Sequence, residues 1–88
     1  VVQYAVLVHM FAQASGLIPG ELVHVIADAH IYDRHIPLVE KLLKQTPSPA
    51  PAFEIDSAVT DFYSFTIDNF HVENYAPAPF EDKIPVAV

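Results

Sequence analysis

The chain has 88 residues, 52% of them hydrophobic and only 17% charged, with eight prolines, two glycines and no cysteine. Eleven acids against Arg34, Lys41, Lys44 and Lys83 give a formal charge of −7, the wrong sign for an electrostatic nucleic-acid surface. Without cysteine there is no disulfide, thiolate metal site or cysteine nucleophile among these residues, which fits a reducing compartment and a cytoplasmic location. No apolar run reaches the roughly 18 residues that span a bilayer, and nothing resembles a signal peptide, so the chain reads as soluble.

So apolar a chain cannot easily hide its large side chains within a body of 88 residues, and part of that surface is expected to meet further protein. The opening run Val1, Val2, Tyr4, Ala5, Val6, Leu7, Val8 reads as if it began inside a fold. Residues 3–15 have helical spacing in Tyr4, Leu7, Val8, Phe11 and Ala14, with Gly16 placed to end the helix. Val6 and Met10 extend the apolar surface around it, the mark of a helix buried in a larger core. Pro19-Gly20 then predicts a type II turn.

From residue 21 to 32 the period changes to two. Val23, Val25, Ala27, Ala29 and Ile31 form one apolar face, and Leu22, His24, Ile26, Asp28, His30 and Tyr32 the other, as expected of a ligand-lining strand. Residues 33–45 predict a second helix with Leu38, Val39, Leu42 and Leu43 as its stripe, Asp33 as cap and a Glu40–Lys44 pair. Thr46-Pro47 stops it. Pro47, Pro49 and Pro51 make a stiff connector, residues 53–55 a short strand, and Thr60 or Asp61 caps one helical turn through Phe65. Residues 70–75 form a last strand, and 76–88 an irregular tail. The fold class is therefore α/β of the α+β type, two main helices on part of a mostly antiparallel sheet, in one unit spanning 1–88.

Asp28, His30 and Tyr32 alternate, so a strand places them on one face at intervals of about 6.5 to 7 Å. An imidazole and a phenol there offer donors and acceptors to a ligand hydroxyl, with a carboxylate to orient them. The same pattern suits a His and a Tyr satisfied at the edge of a core, and spacing alone does not choose. Asp28, His30 and His35 also admit a metal reading, but without a recognised ligand pattern, and His24 lies about 20 Å from His30 along a strand. His9 and His71 read as structural or solvent-facing, and the acids of the last third as a solvated face. No glycine-rich phosphate loop or G-x-S-x-G elbow is present.

Three ordered segments carry a resemblance: Gln3-Tyr4-Ala5-Val6-Leu7-Val8-His9-Met10, then Asp28-Ala29-His30-Ile31-Tyr32, then Ile84-Pro85-Val86-Ala87-Val88. They resemble the C-terminal third of thymidylate synthases. The family's helix has the form Y-x-x-L-x-H-M-x-A-Q, matched by Tyr4, Leu7, His9, Met10, Ala12 and Gln13. Its strand carries D-x-H-x-Y and its chain ends in P-V-A-hydrophobe. The resemblance implies a homodimeric enzyme, built sheet against sheet, that converts dUMP to dTMP with 5,10-methylenetetrahydrofolate as donor of carbon and hydride. It implies no metal, no nucleic acid and no membrane. His30 and Tyr32 would bond the 3′-hydroxyl of the deoxyribose and Asp28 would support them. Val86, Ala87 and Val88 would close over the folate. The nucleophilic cysteine, the phosphate-binding arginines and the asparagine that reads uracil would lie upstream, leaving this segment inactive by itself.

Two departures stand out. Ile26-Ala27 replaces the usual Gly-Gly, and Asp33-Arg34-His35 replaces a Ser-Asn-His type run. They leave a nucleotide hydroxymethylase of the same superfamily as the nearest alternative. Outside that class stand a non-catalytic folding or interaction module, which would be a stable monomer binding a partner, and a metal-dependent hydrolase, which metal analysis would reveal.

Overall fold

A computed structural model describes residues 1–86. Its elements in order are helix α1 (Val2–Ser15), a 3-10 turn at Asp33–His35 leading into helix α2 (Ile36–Leu43), strand β1 (Ala52–Ile55), 3-10 turns at Phe62–Ser64 and Ile67–Asn69, and strand β2 (Phe70–Glu73). The strands pair antiparallel as a two-stranded sheet. Phe53 faces Val72 and Ile55 faces Phe70, while Glu54 faces His71 on the other surface. One side of the ribbon is therefore apolar and the other polar, the division that period-two patterning dictates. The α+β class with an antiparallel sheet is thus the observed architecture.

α1 ends as its sequence requires. Gly16 takes φ 69°, and the N–H groups of Gly16 and Leu17 return to the carbonyls of Gln13 and Ala12 at 3.2 and 2.8 Å, a Schellman closure that only a residue without Cβ adopts freely. The helix is fastened to the rest of the chain in two ways. The Gln13 amide nitrogen donates to the backbone carbonyls of both Asp56 (2.8 Å) and Val59 (2.6 Å), just beyond β1. Ring contacts run from Phe11 to Phe62 (4.8 Å, stacked), on through Phe65 and Phe70 to Phe53, and return to α1 at His9, edge-on to Phe53 at 5.0 Å. His9 is thus structural, as its place on the helix suggested.

Beyond β1 the loop is closed by a polar knot. Asp56 accepts from the Asn69 amide (3.2 Å) and the His71 Nε2–H (2.7 Å), and its N–H donates to the Asn69 carbonyl (3.0 Å). Thr66 and Asn69 form a capping box around the turn that feeds β2. Asp61 precedes the turn at Phe62–Ser64, but its carboxylate accepts from the Ser64 hydroxyl at 2.9 Å rather than from a backbone N–H.

Several expectations are corrected. Residues 21–32 form no strand, because a strand exists only through a hydrogen-bonded neighbour and the described residues provide none; the backbone bends at Ala27 and Asp28. Its presumptive core face is open, with Val23 79% and Val25 82% exposed. Gly20 does not take positive φ, so Pro19-Gly20 makes no type II turn. Asp33 does not cap α2 through its side chain; its carbonyl instead accepts the Ile36 N–H, and the helix proper begins at Ile36 with Pro37 in its first turn, where a missing N–H costs nothing. Glu40 and Lys44 form no ion pair among the described residues, and the helix's salt bridge runs from Lys41 to Asp82.

The result is open. The radius of gyration is 17.0 Å, where a compact chain of this length has about 12 Å, and Ala12 is the sole buried apolar residue among those described. No described helix is long and apolar enough to cross a membrane.

The fastening of α1 is testable. Gln13→Ala removes both donors to half-buried carbonyls and is expected to lower unfolding stability by about 1 to 3 kcal/mol, read as a shift of the urea midpoint at unchanged slope. The polar knot makes an acid-side prediction. The Asn69 amide, and after it the His71 imidazole, hold the Asp56 carboxyl below its ordinary 3.8. A native pKa below the unfolded one adds stability above 3.8 that disappears as pH falls through the lower native value. Asp56→Asn is expected to flatten that acid-side loss, measured by comparing urea midpoints at neutral pH and below 3.8.

Candidate functional site

The site lies where residues 28–35 approach the C-terminal segment. Although residues 28–32 form no strand, their local geometry brings His30 and Tyr32 together, ring centroids 5.2 Å apart and edge to face. The His30 Nδ1 sits 3.0 Å from the Asp28 backbone carbonyl and 3.4 Å from its carboxylate Oδ1. A carbonyl only accepts, so Nδ1 carries the proton. In the neutral ring Nε2 is then an acceptor, and the neighbouring Tyr32 ring carries a phenol that can both give and take a hydrogen bond. Asp28 is 93% exposed in its side chain and serves chiefly through its backbone. His30 and Tyr32 are about half exposed and open to a ligand.

Tyr32 continues the series, its ring 5.6 Å from that of His35 and edge to face with it. Tyr32 thus lies between the His30 and His35 rings, and no group of three or more candidate metal ligands occurs among the described residues. His71 lies instead in the knot with Asp56.

The C-terminal segment runs antiparallel to α2 and is tied to it at intervals. Gln45 Nε2 donates to the Pro79 carbonyl (3.0 Å), and Lys41 Nζ to both oxygens of Asp82 (3.0 and 2.9 Å). His35 Nε2–H donates to the Pro85 carbonyl (2.7 Å) and Arg34 Nη1 to the Val86 carbonyl (3.3 Å). Between these ties Phe80 and Ile84 border an apolar hollow lined by Leu38, Val39 and Leu42. The exposed Lys41–Asp82 pair contributes at most about 1 kcal/mol, so the apolar contact and the carbonyl bonds carry the docking. Among the expected site residues, Asp28, His30, Tyr32 and Val86 are thus placed at one end of α2. Ala87 and Val88 lie outside the described residues.

Sequence reasoning did not find the roles of Gln13, His35 and Arg34. Each bonds a backbone carbonyl 43 to 52 residues away, and a carbonyl acceptor leaves no trace in residue type. Helical periodicity located Leu38, Val39 and Leu42 on the stripe of the helix, but not what covers it.

With that geometry in view, comparison with known proteins is direct. The family profile described as thymidylate synthase matches residues 1–88. Among solved structures, the chain is similar to a thermostable thymidylate synthase A from Bacillus subtilis, with 40% sequence identity and a TM-score of 0.86 over 98% of its residues. It spans 30% of the length of that protein. A profile match across the whole chain, together with that identity and superposition, shows that the chain belongs to the thymidylate synthase family.

Proposed function

We infer that this chain is the C-terminal portion of a single thymidylate synthase domain, which as an intact homodimer reductively methylates dUMP to dTMP. The co-substrate 5,10-methylenetetrahydrofolate supplies the carbon and the hydride when bound. The observation that carries the reading is the His30–Tyr32 pair, with its imidazole oriented by Asp28. A deoxyribose 3′-hydroxyl can donate to the His30 Nε2 and accept from the Tyr32 phenol, so one ligand oxygen satisfies both side chains. Asp28 supports this by holding the Nδ1 proton, which keeps Nε2 unprotonated in the neutral ring.

The tail belongs to the same reading. Pro85 and Val86 are held next to the ring series that ends in His35, which supports a closing role for Val86, Ala87 and Val88 over the folate beside the nucleotide. Excluding water there strengthens the site's electrostatics and aligns the reacting groups. The chain supplies no thiol for attack on the pyrimidine, so by this reading it positions substrate and the remainder of the domain performs the covalent step. The exposed apolar surface of α1 and of residues 17–26 supports the same division, since it is the kind of surface that packs against further protein.

Two measurements test this. In the intact enzyme Tyr32→Phe is expected to weaken dUMP binding by about 1 to 3 kcal/mol with little loss of thermal stability, because it removes one hydroxyl from a shared hydrogen bond. Unchanged dUMP affinity by calorimetry would sink the assignment. The 88-residue chain alone is expected to produce no dTMP from dUMP and the folate in a discontinuous assay. Steady turnover by the pure chain would overturn the division of labour.

A further inference from the structure

His30, Tyr32 and His35 form a row of rings in which the two ends are fastened and the middle is not. His30 is turned by its Nδ1–H, which donates to the Asp28 carbonyl at 3.0 Å. His35 is turned by its Nε2–H, which donates to the Pro85 carbonyl at 2.7 Å, and its partly buried ring borders the apolar hollow beside Leu38 and Ile84. Tyr32 is 51% exposed, and its phenol makes no hydrogen bond among the described residues. What orients its ring is contact with the two imidazoles, at 5.2 Å and 87° to His30 and at 5.6 Å and 84° to His35. The second contact is built into the backbone. The His35 N–H donates to the Tyr32 carbonyl at 2.8 Å and closes a 3-10 turn, which brings side chains three residues apart onto the same side.

We propose that His35 is a positioning residue for Tyr32: its edge-to-face contact holds the tyrosine ring in the direction that presents the phenol to the ligand hydroxyl also met by His30. The proposal rests on the functional reading above. An edge-to-face pair is directional, because the positive edge of one ring meets the negative face of the other, so an amide or a methyl group in its place does not reproduce it. Its contribution is preorganisation. A phenol already aimed loses less rotational freedom when the nucleotide arrives, and Tyr32 has no anchor of its own that would aim it.

The test uses the intact enzyme and separates the ring of His35 from its donor. His35→Phe keeps a ring and loses the bond to Pro85, His35→Gln keeps an N–H donor and loses the ring, and His35→Ala loses both. His35→Ala and His35→Gln are expected to weaken dUMP binding, read by calorimetry, roughly three- to tenfold, the worth of one edge-to-face pair, while His35→Phe stays within about twofold of the parent. In a Tyr32→Phe background His35→Ala is expected to cost less than about twofold, since no phenol is left to aim. Relaxation of the Tyr32 ring signals in unliganded enzyme carrying isotope-labelled tyrosine, identified by their loss in Tyr32→Phe, is expected to show a more mobile ring in His35→Ala and His35→Gln and a parent-like one in His35→Phe. Rescue of affinity by His35→Gln and not by His35→Phe would overturn the proposal, because it would place the effect in the Pro85 bond. A full loss that persists in the Tyr32→Phe background would mark His35 as merely structural and also overturn it, as would unchanged affinity and unchanged ring mobility in His35→Ala. Should His35→Ala fail to fold, His35→Phe and His35→Gln decide by the same readouts. The ring measurement needs no ligand. If it responds as expected while Tyr32→Phe leaves dUMP affinity intact, His35 holds Tyr32 and the functional reading falls.

Discussion

Helix α1 is apolar nearly all the way round, and the rest of the described fold is organised by the need to cover part of it. The Gln13 amide and the ring series from Phe11 to His9 do this jointly. The first fixes where the chain leaves β1, and the second lays the turn at Phe62–Ser64 and both strands against the helix. Neither suffices alone. Aromatic contacts tolerate sliding, whereas two short bonds from one nitrogen to two carbonyls set a position, and the bonds would be weak without apolar cover to reduce competition from water.

The second half of the structure follows a different logic. α2 is only two turns long and would be marginal by itself in water. What covers its stripe is the irregular C-terminal segment, which satisfies some of its carbonyls with side chains that flank the helix, Arg34 and His35 before it and Gln45 after it. Each lends the other what it lacks: the helix supplies a regular apolar surface and Lys41, its flanks supply donors to carbonyls, and the segment supplies Phe80 and Ile84. This mutual dependence puts Pro85 and Val86 beside His35 and Arg34.

The large exposed apolar area is consistent with both halves. Ile18 is 92% and Ile67 83% exposed, a level that isolated soluble domains do not sustain over contiguous patches. The chain spans 30% of the length of a solved relative, and an apolar area of this kind is suited to packing against further protein. Residues 21–32 alternate in side-chain character but pair with no neighbour among the described residues, so their two faces form without a ladder.

Sequence by itself determined the elements whose causes are local. The spacing of Tyr4, Leu7, Val8 and Phe11 with Gly16 beyond them specified α1 and its end, because helix faces and left-handed closures depend on residues three to five apart. Residues 53–55 and the alternating run 70–75 were read as strands, and the structure has them at 52–55 and 70–73. The ordered motifs ending in Asp28-Ala29-His30-Ile31-Tyr32 and Pro85-Val86-Ala87-Val88 were sufficient to indicate the family. Only the tertiary structure decided which donors meet which carbonyls: Gln13 with Asp56 and Val59, His35 with Pro85, Arg34 with Val86. It also decided that residues 21–32, for all their period-two pattern, make no ladder here. The physical reason is common to both. Backbone hydrogen-bonding groups are the same at every residue, so a one-dimensional pattern shows which segments can present them and cannot show which partner, in space, takes them up.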